Sequence, residues 1–170
     1  VIELTMYYRI FNPEHLSINQ DDSKEKRKAP IIVLHGGPSL PSQYLYSIAD
    51  NVPTDRPIIF YDQIGCGRSS EPRDINFYSI SQSVDDLETL LRELNIQSFH
   101  VLGHSYGGVL AYEYAMRVAE RAERSTCTCT PQQQLPDQRC LSVVLANTST
   151  NMRRGNDEWE RLLAECSSDS

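Results

Sequence analysis

A chain of 170 residues is long enough to form one domain with its own hydrophobic core. Its net charge of −7 disfavours nucleic acid and anionic membranes as partners and is typical of a solvated acidic surface. No apolar run approaches the roughly 18 residues of a transmembrane helix, so no membrane partner is expected. With no visible leader and no disulfide framework, the default location is cytoplasmic.

The predicted elements alternate between strands and helices. Strands are predicted at 5–10, 31–34, 57–61, 99–102 and 141–146, and helices at 44–50, 81–94 and 109–122. The first strand has the character of an edge strand, and a polar, charged loop follows at 19–28. Ser79 and Gln82 can form a capping box at the start of the second helix. This alternation predicts an α/β fold, a mostly parallel sheet with helices on both faces.

Two segments do not fit this alternation. Residues 123–139 are polar, contain two prolines and have no periodicity. They are interpreted as an insertion loop, or as a stretch that is not natural coding sequence. Residues 151–170 carry Trp159, Leu162 and Leu163 at helical spacing, which is typical of the start of a cap or of a disordered tail. Residues 1–150 remain as the core.

The pattern Gly103-His104-Ser105-Tyr106-Gly107 lies between the strand at 99–102 and the helix at 109–122. In this strand–turn–helix context, G-x-S-x-G predicts a nucleophile elbow, a tight turn that exposes the serine hydroxyl. The two glycines are required because side chains there would clash with neighbouring backbone. Ser105 is therefore the predicted catalytic nucleophile, and His104 is expected to pack beneath the elbow.

Acyl transfer also requires two backbone N–H groups that face the developing oxyanion. The elbow supplies one from Tyr106, the residue after the nucleophile. The turn His35-Gly36-Gly37-Pro38 follows the strand at 31–34 and is predicted to supply the other, from Gly37 in preference to Gly36. An ordinary strand-ending turn is the alternative interpretation.

The loop after the strand at 57–61 is interpreted as a scaffold for these turns. It contains Asp62, Gln63, Gly65, Cys66 and Gly67. Its glycines permit close packing against the neighbouring turns, and Asp62 can accept hydrogen bonds from backbone donors. A catalytic role for Asp62 is disfavoured because it precedes the nucleophile. Cys66 is a weaker candidate nucleophile than a serine at an elbow.

The remaining cysteines predict neither a metal nor a cofactor. The chain has five cysteines without an obvious disulfide framework. Cys127, Cys129 and Cys140 match no common zinc spacing. The glycosylation sequon at 147–149 is interpreted as a chance match at the end of a buried strand.

In this order the three motifs resemble those of the proline iminopeptidases, including the tricorn-interacting aminopeptidase type, which have the α/β-hydrolase fold. The similarity extends from Thr5 to Asn147 without the insertion, and 61–72 (YDQIGCGRSSEP) is its most specific stretch. It implies a serine aminopeptidase that releases an N-terminal residue, often proline, from short peptides through an acyl-enzyme. Ser39 and Ile64 depart from the family pattern, which usually has glycine at the first position and arginine or an aromatic residue at the second.

The positions of the histidines limit this interpretation. All four, at 15, 35, 100 and 104, precede Ser105, whereas in α/β-hydrolases the acid and the histidine follow the nucleophile. A serine without an imidazole base is a poor nucleophile, and His104 cannot readily serve its own neighbour. The chain is therefore expected to be the amino-terminal part of a hydrolase, with residues 151–170 at the start of its cap and with the triad aspartate and histidine beyond Ser170.

Two other hypotheses stay open. The same fold with the motifs at 35–38 and 105 is compatible with an esterase, lipase or amidase acting on small acyl compounds. The absence of a histidine after Ser105 favours a non-catalytic product, and we expect the 170-residue chain alone to be inactive and poorly behaved, because its half-sheet exposes an apolar edge. Epoxide hydrolases and dehalogenases use aspartate as nucleophile, so Ser105 disfavours them.

Overall fold

The computed structural model describes residues 3–16, 28–125 and 138–149. These residues form β1 (Tyr8–Phe11), β2 (Ile31–Leu34), β3 (Ile58–Tyr61), α1 (Ile80–Glu93), β4 (Ser98–His104), α2 (Tyr106–Ser125) and β5 (Arg139–Ala146). The same residues also form 3-10 segments at Pro13–His15, Ser42–Asn51 and Ile75–Tyr78.

The five strands form one sheet in the order β1-β3-β2-β4-β5. β1 pairs with β3 in the antiparallel direction, and the β2–β3, β2–β4 and β4–β5 pairs are parallel. The predicted mostly parallel α/β sheet and its edge strand are therefore confirmed. Because β2, β3 and β4 run in the same direction, the three motifs that follow them meet at the carboxyl edge of the sheet.

Side chains on the two faces of the sheet pack against different elements. Ile32, Leu34, Ile59 and Tyr61 belong to a buried cluster with α1 and α2. Helix α1 contributes one apolar face to that cluster: Val84, Leu87, Leu90 and Leu91. On the opposite face, Val33, Ile58 and Phe60 pack with Leu45 of the Ser42–Asn51 segment. Burial of a large apolar side chain contributes roughly 1.5–3 kcal/mol, so these two layers hold the sheet in place.

The first strand is shorter at its start than predicted. Residues 5–7 were expected in it, but β1 begins at Tyr8. The backbone N–H groups of Thr5 and Tyr7 donate to the hydroxyls of Ser70 and Ser69, each at 2.9 Å. Hydroxyls from a loop thus take the place of the carbonyl groups of a neighbouring strand. Residues 5–7 are therefore hydrogen-bonded without being part of the sheet.

The cap of α1 is half of the predicted capping box. The Ser79 hydroxyl accepts from the Gln82 N–H at 3.1 Å, as expected of an N-cap residue. The Gln82 side chain does not reach back to Ser79: it donates to Asp86 at 3.0 Å, one helical turn further on.

Several sequence predictions lie outside the described residues. They are most of the loop at 19–28, nearly all of the segment at 123–139 with Cys127 and Cys129, and the tail at 151–170. Of the part of the chain that is described, no helix has the length and apolar character that a membrane span requires.

Candidate active site

Ser105 occupies the turn between β4 and α2 with a φ of 53°. A left-handed backbone is strained for a residue other than glycine, so the surrounding structure must hold it. The Ser105 N–H donates to the Ala146 carbonyl at 2.9 Å. The Ser105 carbonyl accepts from the Gly108 N–H at 2.9 Å and from the Thr148 hydroxyl at 3.1 Å. The turn is therefore fixed by α2 and by the end of β5.

The strand–turn–helix context expected of the elbow is present, and its two glycines explain how the turn fits. A Cβ at Gly103 would lie 2.5 Å from the Gly108 Cα. A Cβ at Gly107 would lie 2.5 Å from the carbonyl carbon of Leu34, in β2. Both obstacles are backbone atoms, which cannot rotate away, so neither position accepts a side chain without displacing a strand or a helix.

The turn after β2 lies directly against Ser105. A Cβ built on Gly36 would lie 2.9 Å from the Ser105 Cβ, so only glycine permits this approach. The Gly36 N–H donates to the Tyr44 hydroxyl at 2.7 Å and is therefore already occupied. Gly37 follows with a φ of 122°, and its bond to Pro38 is cis.

Two backbone amides at this position are available to a ligand. Within the described residues, the Gly37 N–H makes no hydrogen bond. Tyr106 is the first residue of α2, where an amide has no intrahelical partner and the helix dipole favours negative charge. The geometry thus favours the amides of Gly37 and Tyr106, and disfavours that of Gly36, as donors to an oxyanion beside Ser105.

His35 and Gln63 join the turn after β2 to the loop after β3. The Gln63 N–H donates to His35 Nε2 at 2.9 Å, and the Gln63 side-chain amide donates to the His35 carbonyl at 2.8 Å. Because Nε2 accepts a hydrogen bond, the proton of the neutral ring is on Nδ1, which donates to the Gly36 carbonyl at 2.8 Å. Burial lowers the pKa of His35, although the Gly36 carbonyl and the nearby Asp62 oppose this. His35 is therefore a neutral structural group with both ring nitrogens occupied.

Asp62 organises the loop after β3. One carboxylate oxygen accepts from the Ser42 N–H at 2.7 Å and the other from the Arg68 N–H at 3.0 Å. Gly67, with a φ of 58°, lies against this carboxylate, and a Cβ there would come 2.7 Å from the Asp62 Cγ. Gly65, with a φ of 84°, packs in the same way against the Tyr78 ring.

Cys66 lies between the same loop and the turn after β2. Its sulfur accepts from the Ser39 N–H at 3.3 Å, and its side chain is buried. Burial raises the pKa of the Cys66 thiol, which disfavours the thiolate form that a cysteine nucleophile requires.

No histidine contacts the Ser105 hydroxyl within residues 3–16, 28–125 and 138–149, which include all four histidines of the chain. His104 lies half-buried on the face of the sheet that carries Ser42–Asn51, because alternate residues of β4 point to opposite faces. The histidines other than His35 also have partners elsewhere. His15 Nε2 lies 3.7 Å from Glu14 Oε1, and His100 Nδ1 lies 2.8 Å from Ser142 Oγ. His104 Nδ1 lies 2.8 Å from the Tyr44 hydroxyl.

The described segments contain no group of three or more His, Cys, Asp or Glu side chains placed to hold a metal ion. Cys66 and Cys140 are both free thiols there.

Tyr44, Ala146 and Thr148 contact the site, and sequence reasoning missed them. Tyr44 looks like an ordinary residue of a short helix, and Thr148 belongs to a segment interpreted as a chance sequon. Neither position carries a local pattern that marks it, because each reaches the site through the tertiary fold.

Residues 29–164 match the profile of a family described as alpha/beta hydrolase fold. The chain is 32% identical over 158 residues to a proline iminopeptidase of Lactiplantibacillus plantarum, which covers 92% of this chain and 46% of that protein. It is 40% identical over 87 residues to a proline iminopeptidase of Heyndrickxia coagulans, over 51% of this chain and 30% of that protein. The chain thus spans less than half the length of these relatives.

A crystal structure of proline iminopeptidase from Mycobacterium smegmatis is similar in fold. The TM-score is 0.69 at 28% sequence identity, and the alignment covers 94% of this chain and 46% of that one. The similarity therefore includes the sheet, both helices and the turns at its carboxyl edge.

Proposed function

Because the chain belongs to the alpha/beta hydrolase fold family, we propose that it carries the nucleophile and the oxyanion-binding turns of a serine aminopeptidase, which releases N-terminal residues, often proline, from short peptides. The observation that carries this proposal is the position of Ser105. Its strained backbone is held at the start of α2, with the turn after β2 in contact with its Cβ. Such an arrangement presents a hydroxyl beside two backbone amide donors.

In the proposed reaction, Ser105 Oγ attacks the carbonyl carbon of the N-terminal residue. The electron pair of the C=O bond moves to oxygen, and the amides of Gly37 and Tyr106 stabilise the resulting negative charge. The general base that takes the Ser105 hydroxyl proton passes it to the nitrogen of the following residue, the C–N bond breaks, and the amine leaves an acyl-enzyme on Ser105. Water hydrolyses this ester, which releases the free amino acid and restores the hydroxyl.

The general base of this reaction is not one of the four histidines of the chain. His35 is held by two hydrogen bonds, and the other three have the neighbours described above. We therefore expect the polypeptide of residues 1–170 by itself to hydrolyse no substrate. Turnover of a proline anilide by that purified polypeptide would contradict this expectation.

The choice of substrate rests on the relatives. The two curated relatives and the crystal structure reported above are proline iminopeptidases, and the turns at the carboxyl edge of the sheet are compatible with acyl transfer from a peptide or from an ester. An aminopeptidase needs a free amine on its substrate, whereas an esterase or an amidase does not.

The test compares three kinds of substrate with the protein at its native length: proline 4-nitroanilide, N-acetylproline 4-nitroanilide and 4-nitrophenyl esters. Proline 4-nitroanilide should be turned over, N-acetylproline 4-nitroanilide should not, and Ser105→Ala should abolish the activity. Ser47→Ala is the matched control because Ser47 is exposed on the Ser42–Asn51 segment. Equal turnover of the acetylated substrate, or turnover only of 4-nitrophenyl esters, would replace the aminopeptidase by an amidase or an esterase.

A further inference from the structure

The Tyr44 hydroxyl joins the two turns of the candidate site. It accepts the Gly36 N–H at 2.7 Å and lies 2.8 Å from His104 Nδ1, the last residue of β4 before the elbow. The Tyr44 and His104 rings also meet edge to face, with centroids 5.6 Å apart. One side chain therefore contacts both the turn after β2 and the strand that leads to the nucleophile.

This hydroxyl lies beside the nucleophile itself. A Cβ built on Gly36 would be 2.9 Å from the Ser105 Cβ, 3.0 Å from the Tyr44 hydroxyl and 3.2 Å from His104 Nδ1. All three groups thus surround a single glycine. Tyr44 is 42% exposed, so part of this residue is open to solvent.

Gly36 is held at both of its polar groups. Its N–H donates to Tyr44, and its carbonyl accepts from His35 Nδ1 at 2.8 Å. The next peptide group is planar, so its N–H, that of Gly37, points away from the fixed Gly36 carbonyl. Fixing Gly36 therefore fixes the direction of the Gly37 amide.

We propose that Tyr44 is a positioning residue of this site: by accepting the Gly36 N–H, its hydroxyl keeps that amide out of the oxyanion position and, together with the His35 hydrogen bond to the Gly36 carbonyl, holds Gly36 so that the Gly37 N–H faces that position. The inference rests on the proposed hydrolase function. Tyr44 touches no reacting atom in this role. It acts through Gly36, on the donor that stabilises the transition state.

The kinetic test uses Tyr44→Phe in the native-length protein, which keeps the ring and removes only the hydroxyl. We expect kcat for proline 4-nitroanilide to fall about tenfold with KM changed by less than a factor of about two, because a misdirected donor weakens transition-state binding more than substrate binding. Tyr112→Phe is the control, since Tyr112 is exposed on α2 and has no hydrogen bond within the described residues. Rates are normalised to the concentration of titrated active sites. An unchanged kcat in Tyr44→Phe would overturn the proposal.

A second readout does not depend on activity. Only eight of these 170 residues are glycine, so selective ¹⁵N-glycine labelling of the native-length protein can resolve the Gly36 amide by NMR. In Tyr44→Phe we expect the Gly36 N–H to exchange with solvent about tenfold faster, and the glycines of α2 to be unaffected. An unprotected Gly36 amide in the wild type would overturn the proposal whatever the kinetics. If the wild type hydrolyses nothing, the proposed function fails, and the Gly36 exchange rate still decides whether Tyr44 holds this turn.

Discussion

Replacing His35 by alanine tests the hydrogen-bonded connection between the two turns. His35 is fully buried and makes two side-chain hydrogen bonds, one accepted from the Gln63 N–H and one donated to the Gly36 carbonyl. The substitution leaves both backbone groups without a partner in a buried environment. Each such group costs roughly 1–3 kcal/mol, and the cavity adds to this. We therefore expect the free energy of unfolding to fall by about 3–5 kcal/mol at pH 8.

The same structure predicts how that loss changes with pH. Burial lowers the pKa of His35 in the folded protein, whereas the unfolded chain titrates near the ordinary value of 6.5. Below that value the unfolded state binds more protons than the folded state, so this contribution to stability is lost as the pH falls. It is fully present above pH 7. The alanine variant has no such group, so the difference between wild type and His35→Ala should shrink from pH 8 to pH 5.

Urea unfolding followed by far-UV circular dichroism, at pH 8, 6.5 and 5, measures this difference. His15→Ala is the control, because the His15 side chain is 41% exposed and, among the residues that the structure describes, its one ion pair is with the neighbouring Glu14. That variant should stay within about 0.5 kcal/mol of the wild type at each pH. A gap between wild type and His35→Ala that stays constant or widens toward pH 5 would refute the assignment of His35 as a neutral Nδ1–H imidazole.

Three further substitutions test the elbow and its supports. Gly107→Ala places a Cβ against the Leu34 carbonyl, so we expect the free energy of unfolding to fall by several kcal/mol, or the protein not to fold. The measurement is the midpoint of thermal unfolding, which should be lower. An unchanged midpoint would show that β2 can move away. Thr148→Val keeps the shape but removes the hydroxyl that donates to the Ser105 carbonyl, and should cost about 1 kcal/mol in urea unfolding, whereas Thr148→Ser should cost less. Asp62→Asn can accept only one of the two backbone N–H groups that the carboxylate binds, so a loss of about 1–3 kcal/mol is expected by the same measurement, and no loss would mean that water replaces the second bond.

Much of the fold follows from local features of the sequence. The runs of β2 and β3 contain no charged residue, and their one polar group is the Tyr61 hydroxyl, which identifies strands buried on both faces. The spacing of Val84, Leu87 and Leu91 identifies the buried side of α1. The glycines around Ser105 can also be predicted from the sequence. A tight turn of a few residues brings backbone segments close together, and only glycine leaves room for that approach.

The supports of the site could not be read in this way. Tyr44 and His104 are 60 residues apart, and Ser105 and Thr148 are 43 apart, yet each pair is in hydrogen-bond contact. No periodicity or motif links such positions, because the contacts exist only after β2, β4 and β5 pair side by side.

The sequence by itself determined the α/β architecture, the elbow and the two candidate oxyanion turns, since these depend on hydrophobic periodicity and on steric limits within short segments. Only the tertiary structure decided which amides are free. The Gly36 N–H is occupied because the fold brings the Tyr44 hydroxyl to it, and the proton of His35 is on Nδ1 because Gln63 reaches Nε2 from the neighbouring loop. Whether a backbone N–H group is already hydrogen-bonded depends on the residues that lie next to it in space, and the pairing of the strands decides which residues those are.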